Sequence, residues 1–490
     1  MGLYLGVDVG TSSLKGVLCD EEGRIIKQVR IPSYVSNPAP GLFEVDVNSS
    51  WRGGFLRLLA SLPDSSLQDI EGICISSVCA SFAPVDETLT PLHPAVLYGI
   101  DTRAQEQVEE LNQKWGSTLT QVIGTEFSTH SVLPKILWFK RNRPEIFRNT
   151  RYFVSSNNLI TAWLTGIVAW DYPTAAGAHL IDCTQHTYPQ ELFQELGIDL
   201  SKLPPLRSPF STLGKITNTA SVETGLKEGT PVVVGACDIN GECLAAGTVS
   251  PGHFTVVYGS TLSILYVVDR FIKVPGFVTG PSLFEGTYRI GGATSSGGRF
   301  LEWVESILCF SYPTRQDLKD YLSKASNFLP TGIVMLPYAS GVRAPFHNPK
   351  ARILWYGMEN TTKPEILSLA ARESLGYELA IIFETIEAHV PIPVEIHAMG
   401  GLTADPLLLQ IVSDITGRKL KIHDGINAAY GDALMAMLAS EDIKTILSKP
   451  AVRELQEARK VVIPQTEKHE QYHYPLKVYK RLNKAVLELY

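Results

Sequence analysis

One short pattern occurs twice, and its two positions constrain the fold more than any other feature. LYLGVDVGTSSLKGVLCD, residues 3–20, reads as an apolar strand, a Gly-Thr-Ser turn and a second apolar strand. HFTVVYGSTLSILYVVD, residues 253–269, repeats the design; placing Gly259 on Gly10 brings Ser260 onto Thr11 and Thr261 onto Ser12. A chain of 490 residues exceeds what one hydrophobic core usually supports. A hairpin recurring near mid-chain is where a duplicated domain would begin. The Gly/Pro-interrupted stretch AAGTVSPGH marks the boundary, giving expected domains 1–247 and 248–490.

Between the hairpins, strand and helix patterns alternate. EGRIIKQVRI reads as a third strand, SSWRGGFLRLLASL has helical apolar spacing, and GICISSV is again a strand. Alternation of this kind predicts an α/β fold.

Composition narrows the partners. Apolar residues make up 44% of the chain, and 43 Lys plus Arg stand against 50 Asp plus Glu without basic blocks, which argues against nucleic acid. No apolar stretch reaches the ~18 residues of a membrane span, and the N-terminus has no basic n-region or cleavage site. The seven cysteines, Cys309 among them, are odd in number and form no CxxC pair, which fits a reducing compartment. Cytoplasm is the expected location, with no membrane partner.

The hairpins suggest a chemistry. A Gly-Thr-Ser turn offers successive backbone N–H groups and hydroxyls, a concavity suited to phosphate oxygens; each is also what an ordinary hairpin turn would use. Asp8 lies in the first strand, two residues before its turn. A carboxylate in an apolar strand needs a partner: a Mg²⁺ ion that also binds substrate phosphates would serve, as would nearby backbone donors. Asp238 ends the buried run VVVGAC and opens INGECLAAG, a small-residue helix expected to pack closely on a neighbour. It suits a helix N-cap, but beside the inferred boundary it also suits a base taking a hydroxyl proton during phosphoryl transfer.

Other patterns carry less. Neither GxxxxGK[ST] nor a post-strand GxGxxG is present. HEQYH, residues 469–473, has HExxH spacing, but its surroundings are polar, Pro475 is expected to interrupt a helix there, and no third ligand is nominated. Trp138, Phe139 and Trp163 lie in apolar helical runs and are expected in the core.

Together, GVDVGTSSLKGVL, PAVLYGIDTRA, PKILWFKRNRPEIF, GACDINGECLAAG with VVYGST, IGGATSSGGRFLEW, LPYASGVRAPFHNPKARILWYGM, RESLGYEL, AMGGLTADPLLLQIVSDITGRKL and the Tyr-rich tail resemble the FGGY family of carbohydrate kinases, its xylulokinase-type branch most of all. The resemblance implies two RNase H-like domains of the actin, hexokinase and Hsp70 superfamily flanking an interdomain cleft, closing on a sugar, ATP and Mg²⁺. It places Asp8 as the metal-linked acid and Gly10, Thr11 and Ser12 in the first phosphate loop, with Lys15 where relatives often have a basic residue. Gly259, Ser260 and Thr261 fall in the second loop, and Gly297 and Gly298 in a loop near the nucleotide. Gly400 and Gly401 lie against adenine and ribose with Asp405 as a further contact, and Asp238 is the catalytic base.

The acceptor pocket departs from the pattern. Where xylulokinases show Gln-Met-His-Gly and glycerol kinases Arg-Glu, this chain has Val78, Cys79, Ala80 and Ser81, and Ile239 and Asn240 follow Asp238. Cys79, Ala80, Ile239, Asp101 and Arg103 are the expected acceptor-side residues, the last two equally readable as a structural ion pair in a surface loop. The expected reaction is transfer of the γ-phosphoryl group to a hydroxyl of a small ketose, polyol or sugar acid such as gluconate. A D-xylulose assignment rests on analogy; a sugar-binding sensor and homodimerisation stay open.

Overall fold

The computed structural model describes residues 2–63, 66–308, 326–339 and 341–489, together with residues 320, 322 and 324. Cys309 lies outside the described residues; the other six cysteines are free thiols.

Two mixed sheets carry the fold. The first consists of β1 (Leu3–Val9), β2 (Ser13–Asp20), β3 (Ile25–Pro32), β4 (Ile70–Ser77), β5 (Thr212–Lys215) and β6 (Pro231–Val233), in the order β5-β6-β4-β1-β2-β3. The second consists of β7 (Phe254–Tyr258), β8 (Leu262–Val268), β9 (Val278–Pro281), β10 (Tyr288–Ala293), β11 (Glu395–Met399), β12 (Lys419–Ile422) and β13 (Lys460–Val462), in the order β9-β10-β8-β7-β11-β12-β13. In each sheet the first hairpin strand is antiparallel to the second and parallel to the strand on its other side, β1 with β2 and β4, β7 with β8 and β11. The hairpin repeat seen in the sequence is thus the start of two like-wired sheets. β1 and β7 are apolar along almost their whole length because layers cover both faces.

Five helices position the site: α1 (Tyr172–Gly177), α2 (Asp238–Ala245), α3 (Gly298–Ile307), α4 (Ala428–Ala436) and α5 (Thr466–Leu487). The neighbour foreseen for α2 is α4, which also lies across β1 and β4 of the first sheet. Missing side chains make this approach possible. A Cβ at Gly6 of β1 would fall 2.1 Å from Ala429 O and Ala433 N, one at Gly72 of β4 2.3 Å from Ala436 O, and one at Gly431 1.9 Å from Gly241 O of α2. One continuous apolar cluster therefore joins Tyr4, Val17 and Cys74 of the first sheet to Val257, Leu265 and Met399 of the second, through Leu244, Ala429 and Ala433.

The tail differs from the sequence reading. Helix α5 runs unbroken through Pro475. The proline removes one backbone donor, and the burial of Tyr472, Pro475, Tyr479 and Val486 against the second half holds the helix together. His469 within HEQYH is an anchor, its Nδ1 2.7 Å from Asp414 O. Among the described residues no group of three His, Cys, Asp or Glu side chains is arranged to hold a metal ion, and no helix is long and apolar enough to cross a membrane. Phe139 is fully buried, whereas Trp138 and Trp163 are half-buried beneath the guanidinium groups of Arg103 and Arg52, 5.1 and 5.7 Å from the ring centroids.

The helix crossing has a direct test. Gly431→Ala puts a methyl group into backbone and is expected to cost about 3 kcal/mol or more, read as a lower urea midpoint; an unchanged midpoint would show the crossing to be loose.

Candidate active site

Asp8 and Lys15 stand directly opposite each other in the β1–β2 register, and Lys15 Nζ lies 3.0 Å from Asp8 Oδ2. The ion pair, not backbone donors, compensates one carboxylate oxygen, and it raises the Lys15 pKa. Asp8 Oδ1 is buried and has no partner. The turn between the strands closes through Gly10 N–H donating to Ser13 O at 3.1 Å, leaving Ser12 exposed and Thr11 half-buried.

Asp238 occupies the first turn of α2. Cys237 is the cap residue, with extended backbone at φ −76° and ψ 162°, so the N-cap alternative for Asp238 does not hold. Its Oδ1 accepts the neighbouring Ile239 N–H at 2.8 Å. Burial raises the Asp238 carboxyl well above the usual carboxylate range, and negative charge at Cys237, Asp8 and Glu242 raises it further. Glu242 stands one turn along the same helix face. Burial pushes it to about 8, opposed by Lys15 and reinforced by Asp8. Asp8, Lys15, Asp238 and Glu242 therefore form one electrostatic group.

Helix α4 adds Asp432, whose Oδ2 accepts from Ser76 Oγ at 2.6 Å while Oδ1 is buried without a partner. Burial raises its pKa against that hydrogen bond, with Asp8 and Asp238 adding to the rise. Glu242 was detectable in the sequence as the i+4 partner of Asp238; nothing local pointed to Asp432.

The second half assembles its three glycine loops in one place. Gly259 N–H donates to Thr261 O at 3.0 Å, and Gly298 N–H, at the start of α3, donates to Gly259 O at 2.9 Å. A Cβ on Gly297 would fall 2.7 Å from Thr261 Cα, so only glycine lets α3 start against the turn holding Ser260. Gly400, at φ +100°, passes so close that a Cβ would sit 2.7 Å from Tyr258 O, whereas the space beside Gly401 is open. Asp405 is committed elsewhere: Oδ1 accepts Leu408 N–H at 3.0 Å as a helix cap, and Oδ2 pairs with Arg372 Nε at 3.0 Å.

Of the residues expected to contact the acceptor, Ala80 is fully buried, and Cys79 and Ile239 are half-buried. The Cys79 thiol hydrogen-bonds with Cys237 and lies 3.6 Å from Thr174 O of α1. Arg289 reaches over from β10, unannounced by any sequence motif. Its Nη1 donates to Asn240 Oδ1 at 3.0 Å and its Nη2 to Pro173 O at 2.7 Å, tying the second sheet to the helix that carries Asp238. Asp101 and Arg103 are buried, not in a surface loop. Asp101 accepts from Arg103 Nε and Nη2 at 2.9 and 2.8 Å and from Phe43 N–H at 2.8 Å, and Arg103 also bonds Glu44 at 2.9 Å.

Two like-wired α/β halves joined through a helix crossing, each presenting a glycine-hydroxyl turn, define the two-domain kinase architecture of the actin and hexokinase type. Residues 3–244 match the N-terminal domain and residues 255–440 the C-terminal domain of the FGGY family of carbohydrate kinases, and the chain belongs to that family. It is 23% identical to the xylulose kinase of Escherichia coli (strain K12), covering 99% of this chain and 100% of that one. Its fold superposes on ligand-bound xylulose kinase from Lactobacillus acidophilus with a TM-score of 0.89 at 22% identity, over 99% and 98% of the two chains. It superposes on Plasmodium falciparum glycerol kinase with ADP at a TM-score of 0.86 and 22% identity, over 98% of each.

The raised Asp238 carboxyl has a stability consequence. Folding favours its protonated form, a contribution fully present below the unfolded carboxylate value of about 4 and lost as pH rises through the folded value. Asp238→Asn is therefore expected to melt above the wild type at pH 8, with the difference vanishing toward pH 4; scanning calorimetry across that range checks it, and a constant difference would contradict it.

Proposed function

We propose that this chain transfers the γ-phosphoryl group of ATP to a hydroxyl of a small sugar, with Asp238 as the base. The observation that carries the reading is the Asp238 carboxylate. It is half-buried, receives only its neighbour's N–H, and belongs to the same electrostatic group as the orphaned oxygen of Asp8. Asp238 accepts the acceptor proton as the oxygen forms its bond to the γ-phosphorus; the β–γ bridging bond breaks and ADP leaves.

The turns at Gly10–Ser12 and Gly259–Thr261 give N–H and hydroxyl donors to phosphate oxygens, and Gly297 and Gly298 bring the start of α3 beside the second turn. Gly400 packs against Tyr258 and the open space beside Gly401 leaves room for adenine and ribose, while Asp405 acts through the helix it caps. Lys15 is paired with Oδ2 of Asp8. The buried, unpartnered Oδ1 of Asp8 fits a metal-linked acid, and Mg²⁺ held there with phosphate oxygens would screen the transferred charge.

Residues 1–247 are taken as the half bearing the acceptor site and the base, and residues 248–490 as the nucleotide-binding half. Cys79, Ala80 and Ile239 shape the acceptor pocket, and the buried Asp101–Arg103 pair holds the framework behind it. These residues make the pocket different from the xylulokinase pattern, so D-xylulose is one member of the acceptor panel and not the presumed substrate.

Asp238→Asn is expected to lower kcat for acceptor-dependent ADP formation by about 10²–10⁴-fold with little change in the KM for ATP. A variant that kept the wild-type rate would remove Asp238 from the mechanism.

A further inference from the structure

The guanidinium of Arg289 is withdrawn from water, the residue being 4% exposed, yet among the described residues it forms no ion pair with a carboxylate. What lies against it is sulfur. Arg289 Nη1 is 3.6 Å from Cys237 Sγ, and a Cβ at Gly177 of α1 would fall 2.8 Å from both Arg289 Nη2 and Cys79 Sγ. The two sulfurs therefore flank one guanidinium, and they hydrogen-bond with each other. Burial disfavours the charge of Arg289; Cys237 and Cys79 favour it, and Asp171 does so too without a hydrogen bond.

Backbone builds this approach. Cys237 makes an isolated parallel bridge with Ser77, two residues before Cys79, and Gly177 carries no side chain to part Cys79 from the guanidinium. Each sulfur has one further neighbour: Cys237 Sγ lies 2.9 Å from Asn240 Oδ1, and Cys79 Sγ 3.6 Å from Thr174 O.

The pair differs from the other described cysteines. Burial raises the thiols of Cys19, Cys74, Cys183 and Cys243, none of which has a hydrogen-bonded thiol beside it among the described residues. Cys237 is lowered instead, by its hydrogen bond with Cys79 and by the Arg289 guanidinium, against the effect of burial, while Cys79 is raised. A thiolate is the nucleophilic form of cysteine, and a cationic neighbour favours it. Cys237 is 1% exposed but Cys79 is only half-buried, so a small oxidant reaches the pair from the Cys79 side.

The position matters for the site. Cys79 belongs to the tetrapeptide 78–81 that departs from the xylulokinase pattern, and Cys237 is the cap residue of the helix that begins with Asp238. A bond between the two sulfurs ties that loop to the start of α2.

We propose that Cys79 and Cys237 are a dithiol switch, oxidised by hydroperoxides to a reversible disulfide that disables the site beside Asp238. With hydrogen peroxide, the Cys237 thiolate attacks one oxygen and the O–O bond breaks, leaving a sulfenic acid on Cys237 and hydroxide, which takes the Cys79 proton and becomes water. The Cys79 thiolate then attacks the Cys237 sulfur; the S–S bond forms, the S–O bond breaks and hydroxide leaves. Each sulfur gives up one electron, and the two peroxide oxygens take them. A small dithiol reverses the change by exchange and is itself oxidised. Transient disulfides of this kind are the ones that serve a reducing compartment. The thiol pair stands on its own geometry; only the loss of turnover rests on the kinase reading above.

The test treats the reduced full chain with hydrogen peroxide, blocks free thiols and maps its peptides without reduction. Acceptor-dependent ADP formation with a panel of ketoses, polyols and aldonates is measured before treatment, after it, and after dithiothreitol, for the wild type, Cys79→Ser and Cys237→Ser. In the oxidised wild type the peptides holding Cys79 and Cys237 are expected to be joined, with ADP formation about 100-fold lower and restored by dithiothreitol. Cys79→Ser, compared with its own untreated rate, is expected to form no such bond and to hold a sulfenic acid on Cys237 that dimedone traps. Absence of the joined peptides in the wild type, or joined peptides with an unchanged rate, overturns the switch. So does a dithiothreitol-reversible loss of the same size in both serine variants, which places the sensitive thiol elsewhere. If no acceptor is turned over, the kinase reading falls while the peptide map still decides the thiol pair. Because that map uses the wild type, a variant that fails to fold does not shield the proposal.

Discussion

The crossing of α2 and α4 is the constraint on which the rest depends. Gly241 and Gly431 bring two helix backbones into contact, and Gly6 and Gly72 let α4 lie equally close on the first sheet. At such distances there is no side chain to yield, so any relative motion must pivot about these contacts rather than compress them. Because α2 begins with Asp238 and α4 carries Asp432, the same packing decides how near the carboxylates come to Asp8.

That closeness explains the electrostatics. Asp8, Asp238, Glu242 and Asp432 share a region with one nearby lysine, and burial raises the last three. Alone, such a cluster costs stability. It is suited to a site that receives charge compensation from its substrates, where a general base gains strength from being withdrawn from water. Arg289 supplies a second link, binding the strand after the C-terminal hairpin to Asn240, two residues beyond Asp238. Asp238 is thus held in place from both sheets, the first through α2 and the second through Arg289.

The sequence made some of this legible and hid the rest for identifiable reasons. Both hairpins and the tight helix at Asp238 follow from local periodicity and small-residue spacing, and the structure contains them where the pattern puts them; the strand read as running up to Asp238 is confined to Pro231–Val233, with Cys237 in an isolated bridge to Ser77. Local rules failed where packing overrode them. Pro475 sits inside a helix because a buried tyrosine face outweighs one lost hydrogen bond. Asp238 resembles a cap, yet Cys237 takes that geometry. Asp101 and Arg103, two residues apart, looked equally fit for a surface loop and for the acceptor site; their burial behind Phe43 and Glu44 could be read only after distant strands had come together.

What the sequence determined by itself was the duplicated α/β plan, the turns rich in glycine and hydroxyl groups, and the carboxylates at strand ends. These depend on neighbours a few positions apart, whose periodicity and turn chemistry are written locally. What only the tertiary structure decided was which polar groups meet: Asp432 with Ser76, and Arg289 with Asn240. Electrostatic energy depends on distance and burial in space, and residues hundreds of positions apart acquire both only when the helices cross and the two sheets close over them.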